Sequence, residues 1–584
     1  MSAQSSAGTP DPRTERQILA ESKAAHNHPV YATMAFVMGC AVQGEGRGSH
    51  VLDEHGERYL AMFDQYGNQS FGYSNERILA AAREQLDSGR LNSTKIMFER
   101  EQIRLTERLA ELTGGRLPYA YLANGGGESI DNALKLARAA TGRPGFVTAV
   151  DCFHGKTFGA LSASGRPEHA ALFEPFLDGF RQVPFGDLAA LERAVDETTA
   201  AVLLEPVQAE GGVIPPPPDY LREVRRLCTR AGALLILDEM QTAFGRCGTF
   251  FAFERYGITP DLLCVGKAFG GGVLPISAVI GTEQVWAALR ALPSTFGSSL
   301  GGNPLSCRVG LEAVEIAADP DFLREVRDKA ETIGRRLADL AARFPELIAE
   351  HRGVGMMHGL EFHDEILAGT VLGLLLEERV TSTYSLYNPK VVRVQPPLVI
   401  SAEDLGHGLD VLEKVLGQVG AHLQRLSSTG AAAVAPVERE LRLDRSAEDV
   451  LAALRARPRL FDPFALRPGD EAAEGTDGSF AGTLGHDLVV WADRVEQLAD
   501  GVALSAQPCW LWRRLERTVA VRPAADGAGC TVRVRVDWDT GSGSYEDLIG
   551  GRIGFFVAQR LADPPAGIPP RTSPEQPREE ESCD

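Results

Sequence analysis

The stretch Leu234–Val279, LLILDEMQTAFGRCGTFFAFERYGITPDLLCVGKAFGGGVLPISAV, decides the fold. One apolar run in it ends at Asp238. A second, Leu262–Val265, stops just before Gly266-Lys267, with Gly270–Gly272 following. Short continuous apolar runs bounded by turn residues read as buried strands. Working outward, similar runs stand at Ala120–Ala123, Gly145–Ala149, Ala200–Leu204 and Ala233–Leu237. Amphipathic helical segments, among them Ser129–Ala140, Pro218–Ala231 and Pro304–Ala317, alternate with them from about Ile18 to Leu426. That alternation predicts an α/β fold with a mostly parallel central sheet covered on both faces. Side chains at the carboxyl ends of such strands line the ligand crevice. The sequence therefore sets a carboxylate, Asp238, and an amine, Lys267, on neighbouring strand ends. A desolvated lysine there can lose its proton and form a Schiff base, and the carboxylate can partner a pyridinium nitrogen.

Further strand ends carry polar residues in the same way. Asn124-Gly125-Gly126-Gly127-Glu128-Ser129 precedes a helix, and a glycine turn opening a helix offers main-chain N–H groups to a phosphate. Phe153-His154-Gly155-Lys156-Thr157 follows one strand, and Glu205-Pro206-Val207-Gln208-Ala209-Glu210-Gly211-Gly212 follows another. Val392-Arg393-Val394-Gln395-Pro396-Pro397-Leu398 supplies an arginine fork suited to a carboxylate. Ser294–Pro304 reads STFGSSLGGNP.

Together these segments resemble the class III (subgroup II) pyridoxal-phosphate aminotransferases of fold type I, over about residues 20–425. The resemblance implies pyridoxal 5'-phosphate as cofactor, Lys267 carrying it and shuttling the proton, and Asp238 pairing with its ring nitrogen. It places Gln241 near the phenolic oxygen, Phe153 stacked on the ring and His154 either beside the cofactor or in a structural hydrogen bond. Gly125, Gly126 and Gly127 fall in the phosphate turn. Glycines stand there at 125 and 127 where the family usually has hydroxyl residues, so main-chain donors carry more of the binding. By the same resemblance Arg393 receives a substrate α-carboxylate, and Glu205 neutralises Arg393 for substrates without one. The STFGSSLGGNP loop resembles the segment that reaches the partner subunit's phosphate, with Ser299 or else Thr295 as the contact. That implies a homodimer with shared active sites. Asp64-Gln65-Tyr66-Gly67-Asn68-Gln69 departs from the family's usual less polar strand and makes Tyr66 a candidate substrate contact.

Composition bounds what else the chain can be. Of its 584 residues 44% are apolar and 24% charged, which excludes a mainly disordered protein, and the net charge of −20 argues against nucleic-acid binding. No apolar run is long enough to span a membrane. The start, MSAQSSAGTPDPRTERQ, lacks a signal-peptide core, and the nine scattered cysteines form no C-x-x-C pair. A cytoplasmic protein without a structural metal follows. Residues 1–17 and 563–584 read as disordered and 427–436 as a linker. Between them, 437–562 reads as an α+β unit: strands at Val437–Leu443, Leu488–Arg494, Gly501–Ala506, Leu511–Val521 and Cys530–Trp538, and helices at Ala447–Arg455 and Tyr545–Ala562. It weakly resembles the helix-grip fold of the polyketide cyclase/START-like superfamily, with Trp491, Trp510, Trp512 and Trp538 as cavity candidates.

The expected function is transfer of an amino group, an ω-amine above all, between an amine or amino acid and a keto acid or aldehyde. Glutamate/2-oxoglutarate is expected on one side, and the appended unit hints at specialised metabolism. Two alternatives stand beside it: an amino-acid epimerase or decarboxylating relative, which would use the same Lys267 and Asp238, and a weakened scaffold, suggested by the Gly125 and Gly127 departures, whose C-terminal unit binds the ligand.

Overall fold

The computed structural model describes residues 43–92, 96–165, 173–291 and 297–429, and six strands between Val437 and Asp539. Two compact units divide the chain, Gln43–Ala421 and a second made of Met1–Val42 with His422–Asp584. The expected N-terminal stretch 1–17, the tail 563–584 and the helices Ala447–Arg455 and Tyr545–Ala562 lie outside the described residues.

The larger unit begins with strands β1 (Gln43–Arg47), β2 (His50–Asp53) and β3 (Arg58–Ala61). The central sheet follows: β4 (Tyr119–Ala123), β5 (Gly145–Ala149), β6 (Phe180–Val183), β7 (Thr199–Leu204), β8 (Leu234–Asp238), β9 (Leu262–Val265) and β10 (Ser277–Gly281). Their order across the sheet is β4-β10-β9-β8-β7-β5-β6. The pairs from β9 through β6 are parallel, and β10 alone runs antiparallel to both neighbours. Burial on both faces explains why these strands read as unbroken apolar runs. Along β7, Val202 and Leu204 enter one core while Ala201 and Leu203 enter the other. Ile130, Ala133, Leu134 and Ala137 of the helix Gly126–Thr141 fill the second core. Full burial of an Ile or Leu there contributes about 1.5–3 kcal/mol before the entropy cost of ordering it.

A smaller sheet, in the order β11-β12-β15-β14, contains β11 (Ile348–Val354), β12 (Met357–Phe362), β14 (Thr383–Ser385) and β15 (Asn388–Val394). The two-residue β13 (Val380–Thr381) instead runs parallel to β3. The chain beyond β3 bridges in parallel to the chain beyond β15 at Phe63 and Gln395. Asp64 N–H donates to Gln395 O, 2.9 Å, and Gln395 N–H to Met62 O, 2.9 Å. That bridge brings the Asp64–Gln69 turn beside Arg393.

The last helix, Ala402–Thr429, runs into the start of the expected 427–436 linker. The described residues of the smaller unit include one antiparallel sheet of six strands, β16 (Val437–Leu443), β17 (Ser479–Thr483), β18 (Val490–Leu498), β19 (Gly501–Ala506), β20 (Arg514–Pro523) and β21 (Cys530–Asp539), ordered β16-β21-β20-β19-β18-β17. β17 has no counterpart in the sequence reading. Trp491 pairs with Gly482 and Trp538 with Leu515, whereas Trp510 and Trp512 lie outside the described residues.

Candidate active site

Five strand ends converge on one crevice: Asn124 after β4, the Phe153–His154 loop after β5, Glu205 after β7, Asp238 at the end of β8, and Lys267 after β9. Lys267 opens a single turn of 3-10 helix with φ +52, a left-handed conformation that is strained for a side chain of this size. Burial lowers its pKa, and Arg393 adds to the lowering, while Glu210 and Asp238 oppose it. The turn Gln65-Tyr66-Gly67, also at positive φ throughout, closes over it. A Cβ on Gly67 would stand 3.7 Å from the Lys267 Cδ.

Asp238 is 4% exposed. Its Oδ1 accepts from Met240 N–H, 3.0 Å, and its Oδ2 lies 2.8 Å from His154 Nδ1. A carboxylate only accepts, so Nδ1 carries the proton. Burial opposes the imidazolium, but Cys152 and Asp238 beside it outweigh burial and raise the His154 pKa well above its ordinary value. Of the two roles open for His154, the geometry shows the hydrogen bond to Asp238. Its Nε2 is buried without a hydrogen-bond partner.

Glu205 does not meet Arg393, which corrects the expected pairing. Its two oxygens accept main-chain N–H groups, Oε1 from Phe153 at 3.0 Å and Oε2 from Ala209 at 3.1 Å. Burial, with Asp238 nearby, pushes its pKa up to about 7, against the opposing pull of His154. The carboxylate on Arg393 is Glu210, five residues on: Arg393 Nη1 donates to Glu210 Oε1, 2.7 Å, both side chains being buried. Burial works against the charge of Glu210, but Arg393 and Lys267 hold its pKa down. Arg393 Nη2 donates to Gln241 Oε1, 2.6 Å, and to Gln395 Oε1, 2.5 Å. The Arg393 guanidinium lies 5.4 Å from the Phe63 ring centroid and 5.7 Å from that of Tyr66. Tyr66 thus faces the arginine as well as solvent.

At the other end, the helix Gly126–Thr141 starts at Gly125 with no side-chain cap. Its first N–H groups are the kind of donors an anion takes up. A Cβ on Gly125 would meet open space, whereas one on Gly127 would stand 3.0 Å from the Thr157 hydroxyl and methyl. Gly155, at φ +137, crosses so closely that its own Cβ would lie 3.0 Å from Gly127 Cα. Asn124 Nδ2 donates to Ser298 Oγ, 2.8 Å, so Ser298 is the residue of the glycine loop that meets this turn within the chain. Ser299 is exposed next to it, and Thr295 lies outside the described residues. Phe153 is half-buried, its ring 6.1 Å from that of Tyr387.

Reading the sequence alone missed Asp64 and Arg246 as site supports. Arg246 Nη2 pairs with Asp64 Oδ2 with both side chains fully buried. The available signal was a lone arginine in the glycine turn of GRCG, surrounded by apolar residues.

The sequence profile described as Aminotransferase class-III matches residues 32–416. The chain belongs to the class-III aminotransferases. A putrescine aminotransferase of Pectobacterium atrosepticum is 39% identical over 391 residues, covering 65% of this chain and 83% of that protein. The ornithine aminotransferase of Toxoplasma gondii superposes with a TM-score of 0.63 at 28% identity, over 70% of this chain and 100% of its own. A transaminase of the marine bacterium Virgibacillus shares the fold, with a TM-score of 0.62 at 24% identity over 66% of this chain and 94% of its own. The cofactor of this aminotransferase is pyridoxal phosphate, and the residues present fit it. They comprise a buried amine of lowered pKa, a carboxylate fixed beside it, and an uncapped helix start.

Proposed function

We propose that this aminotransferase moves the terminal amino group of a diamine or related ω-amine to a keto acid, 2-oxoglutarate above all. The observation that carries the reading is the Arg393–Glu210 pair beside Lys267. It offers a carboxylate-binding cation that is neutralised when the substrate brings no carboxylate. The putrescine aminotransferase relative supports the amine side. When bound, pyridoxal phosphate supplies the electron sink for the substrate carbanion. Lys267, its amine favoured by burial, would carry the proton from the substrate carbon to the cofactor carbon on the same face. Asp238, fixed by the His154 Nδ1–H, would hold negative charge at the ring nitrogen. The start of the helix Gly126–Thr141 would receive the phosphate through main-chain N–H groups. Phe153 would cover the ring, and Gln241 would face its phenolic oxygen.

A homodimer with shared sites is part of the same proposal. Ile96, Met97 and Phe98 are apolar and 89%, 72% and 99% exposed, and Leu300, in the Ser299 loop expected to cross to a partner, is 65% exposed. A cytosolic location is supported by five free cysteines among the described residues, all buried. No helix among the described residues is long and apolar enough to cross a membrane. The six-stranded antiparallel sheet supports a helix-grip-like, ligand-binding reading of the C-terminal unit.

The test is turnover with 2-oxoglutarate and a donor panel of putrescine, ornithine, 4-aminobutyrate and an α-amino acid. Glutamate formed in step with an amino-aldehyde from a terminal amine is the expected result. Glutamate formed only from α-amino acids would refute the amine assignment, and racemised amino acid without keto acid would point to the epimerase alternative.

A further inference from the structure

Arg393 is held differently along its two edges. Nη1 makes an ion pair with Glu210, a partner that another carboxylate can replace. Nη2 donates to two neutral carbonyl oxygens, those of Gln241 and Gln395. What fixes these amides is the chemistry on their far sides. Gln241 Nε2 donates to Glu210 Oε1, 3.0 Å, and Gln395 Nε2 donates to Asp64 Oδ1, 3.0 Å. An ionised carboxylate accepts and never donates, so each glutamine must turn its NH2 toward the acid and its oxygen toward the arginine.

The hold on Gln395 is independent of Glu210. Asp64 is fully buried and saturated by its own donors: Gly67 N–H at Oδ1, 2.8 Å, and Ser70 Oγ at Oδ2, 2.9 Å, with Arg246 at Oδ2 as well. Arg246 in turn donates from Nη1 to the carbonyls of Met356, 3.0 Å, and Pro396, 2.8 Å. Removing Glu210 from Arg393 would free the amide of Gln241 but leave that of Gln395 locked. The chain from Arg246 through Asp64 to Gln395 therefore ends on the one acceptor of Arg393 that does not depend on the exchangeable carboxylate.

We propose that Gln395, oriented by Asp64, is a positioning residue for carboxylate-bearing substrates: it keeps the Arg393 guanidinium in place while Glu210 gives way to the keto acid. For a diamine, which leaves the Arg393–Glu210 pair intact, the tether has nothing to do. This rests on the reading that Arg393 receives the keto-acid carboxylate. It also gives a role to the polar Asp64–Gln69 turn that departs from the family's usual pattern.

The experiment measures the two half-reactions separately on the holoenzyme, in Gln395→Met, Gln395→Asn and Arg393→Ala. Gln395→Met keeps the volume and removes the acceptor. Loss of one hydrogen bond to a charged group predicts about a tenfold rise in KM for 2-oxoglutarate, with kcat and the putrescine half-reaction within about twofold of wild type. Gln395→Asn, which draws the amide oxygen back from Arg393 by one methylene and leaves the Asp64–Arg246 pair intact, gives the same split if Gln395→Met fails to fold. Equal loss in both half-reactions would mean a merely structural role and overturn the proposal. An unchanged KM for the keto acid in Gln395→Met, with a raised one in Arg393→Ala, would overturn the tether alone. An unchanged KM in Arg393→Ala would overturn the underlying reading, and the tether with it.

Discussion

The two ends of the site are built in opposite ways. At the phosphate end, Gly125, Gly126 and Gly127 contribute no side chain, and the helix start has no side-chain cap. At the carboxylate end, Asp64, Arg246, Gln395, Gln241, Glu210 and Arg393 form one buried network in which each polar group constrains the next. A phosphate is bound in every turnover and can be met by fixed main-chain dipoles. A substrate end that must accept a carboxylate in one half-reaction and none in the other needs side chains whose pairing can change. Lys267 stands where the two ends meet.

The comparison can be broken at several points. The largest effect is expected from Lys267→Ala, which removes the amine proposed as the proton carrier of both half-reactions. Turnover should fall below detection with every donor, and near-wild-type single-turnover rates would refute the assignment. Next is Arg246→Met at the buried foundation of the carboxylate end. Orphaning a buried carboxylate costs about 3–5 kcal/mol, so denaturant unfolding should show a loss of that size. A loss within about 0.5 kcal/mol, the range of ordinary surface substitutions, would mean that the network does not hold the fold there.

Glu205 joins the two ends, through Phe153 N–H on one side and Ala209 N–H on the other. Its folded pKa of about 7 lies above its ordinary 4.5, so the native state holds a proton that the unfolded chain releases. The stability from this group is fully present below pH 4.5 and is lost as pH rises toward 7. At about 1.4 kcal/mol per unit the loss amounts to roughly 3 kcal/mol. Glu205→Gln should flatten the unfolding free energy between those pH values, and an unchanged slope would contradict the raised pKa. The smallest expected effect is at the phosphate end. Gly127→Thr restores the residue type usual in the family, but Thr157 already occupies the space. Cofactor retention in equilibrium dialysis should weaken, by about tenfold for ~1.4 kcal/mol of crowding, rather than tighten.

The difference between the ends also explains what was legible in the sequence. The central sheet was readable because strands buried on both faces write unbroken apolar runs, so β5 and β9 begin and end where those runs do. Lys267, Asp238 and the glycine turn were readable for a related reason: each follows directly from a strand, and position along the chain fixes position in the crevice. The carboxylate end was harder because its contacts join segments far apart in sequence. Asp64 and Gln395 are separated by 331 residues, and Arg393 and Glu210 by 183. Choosing between Glu205 and Glu210 as the partner of Arg393 depended on which carboxylate turned back to its own backbone. Two glutamates five residues apart in one loop do not reveal that. Left-handed residues such as Tyr66 and Lys267 were equally silent, because the tertiary contacts that hold them there leave no local pattern.

The most direct measurement is the visible spectrum of the purified holoenzyme through one complete cycle, with each substrate added in turn. Putrescine should bleach the cofactor's visible band and 2-oxoglutarate should restore it, with one glutamate formed per site. A band that no amine alters, in protein that retains its cofactor, would contradict the central claim that Lys267 and the Arg393–Glu210 pair serve amino-group transfer.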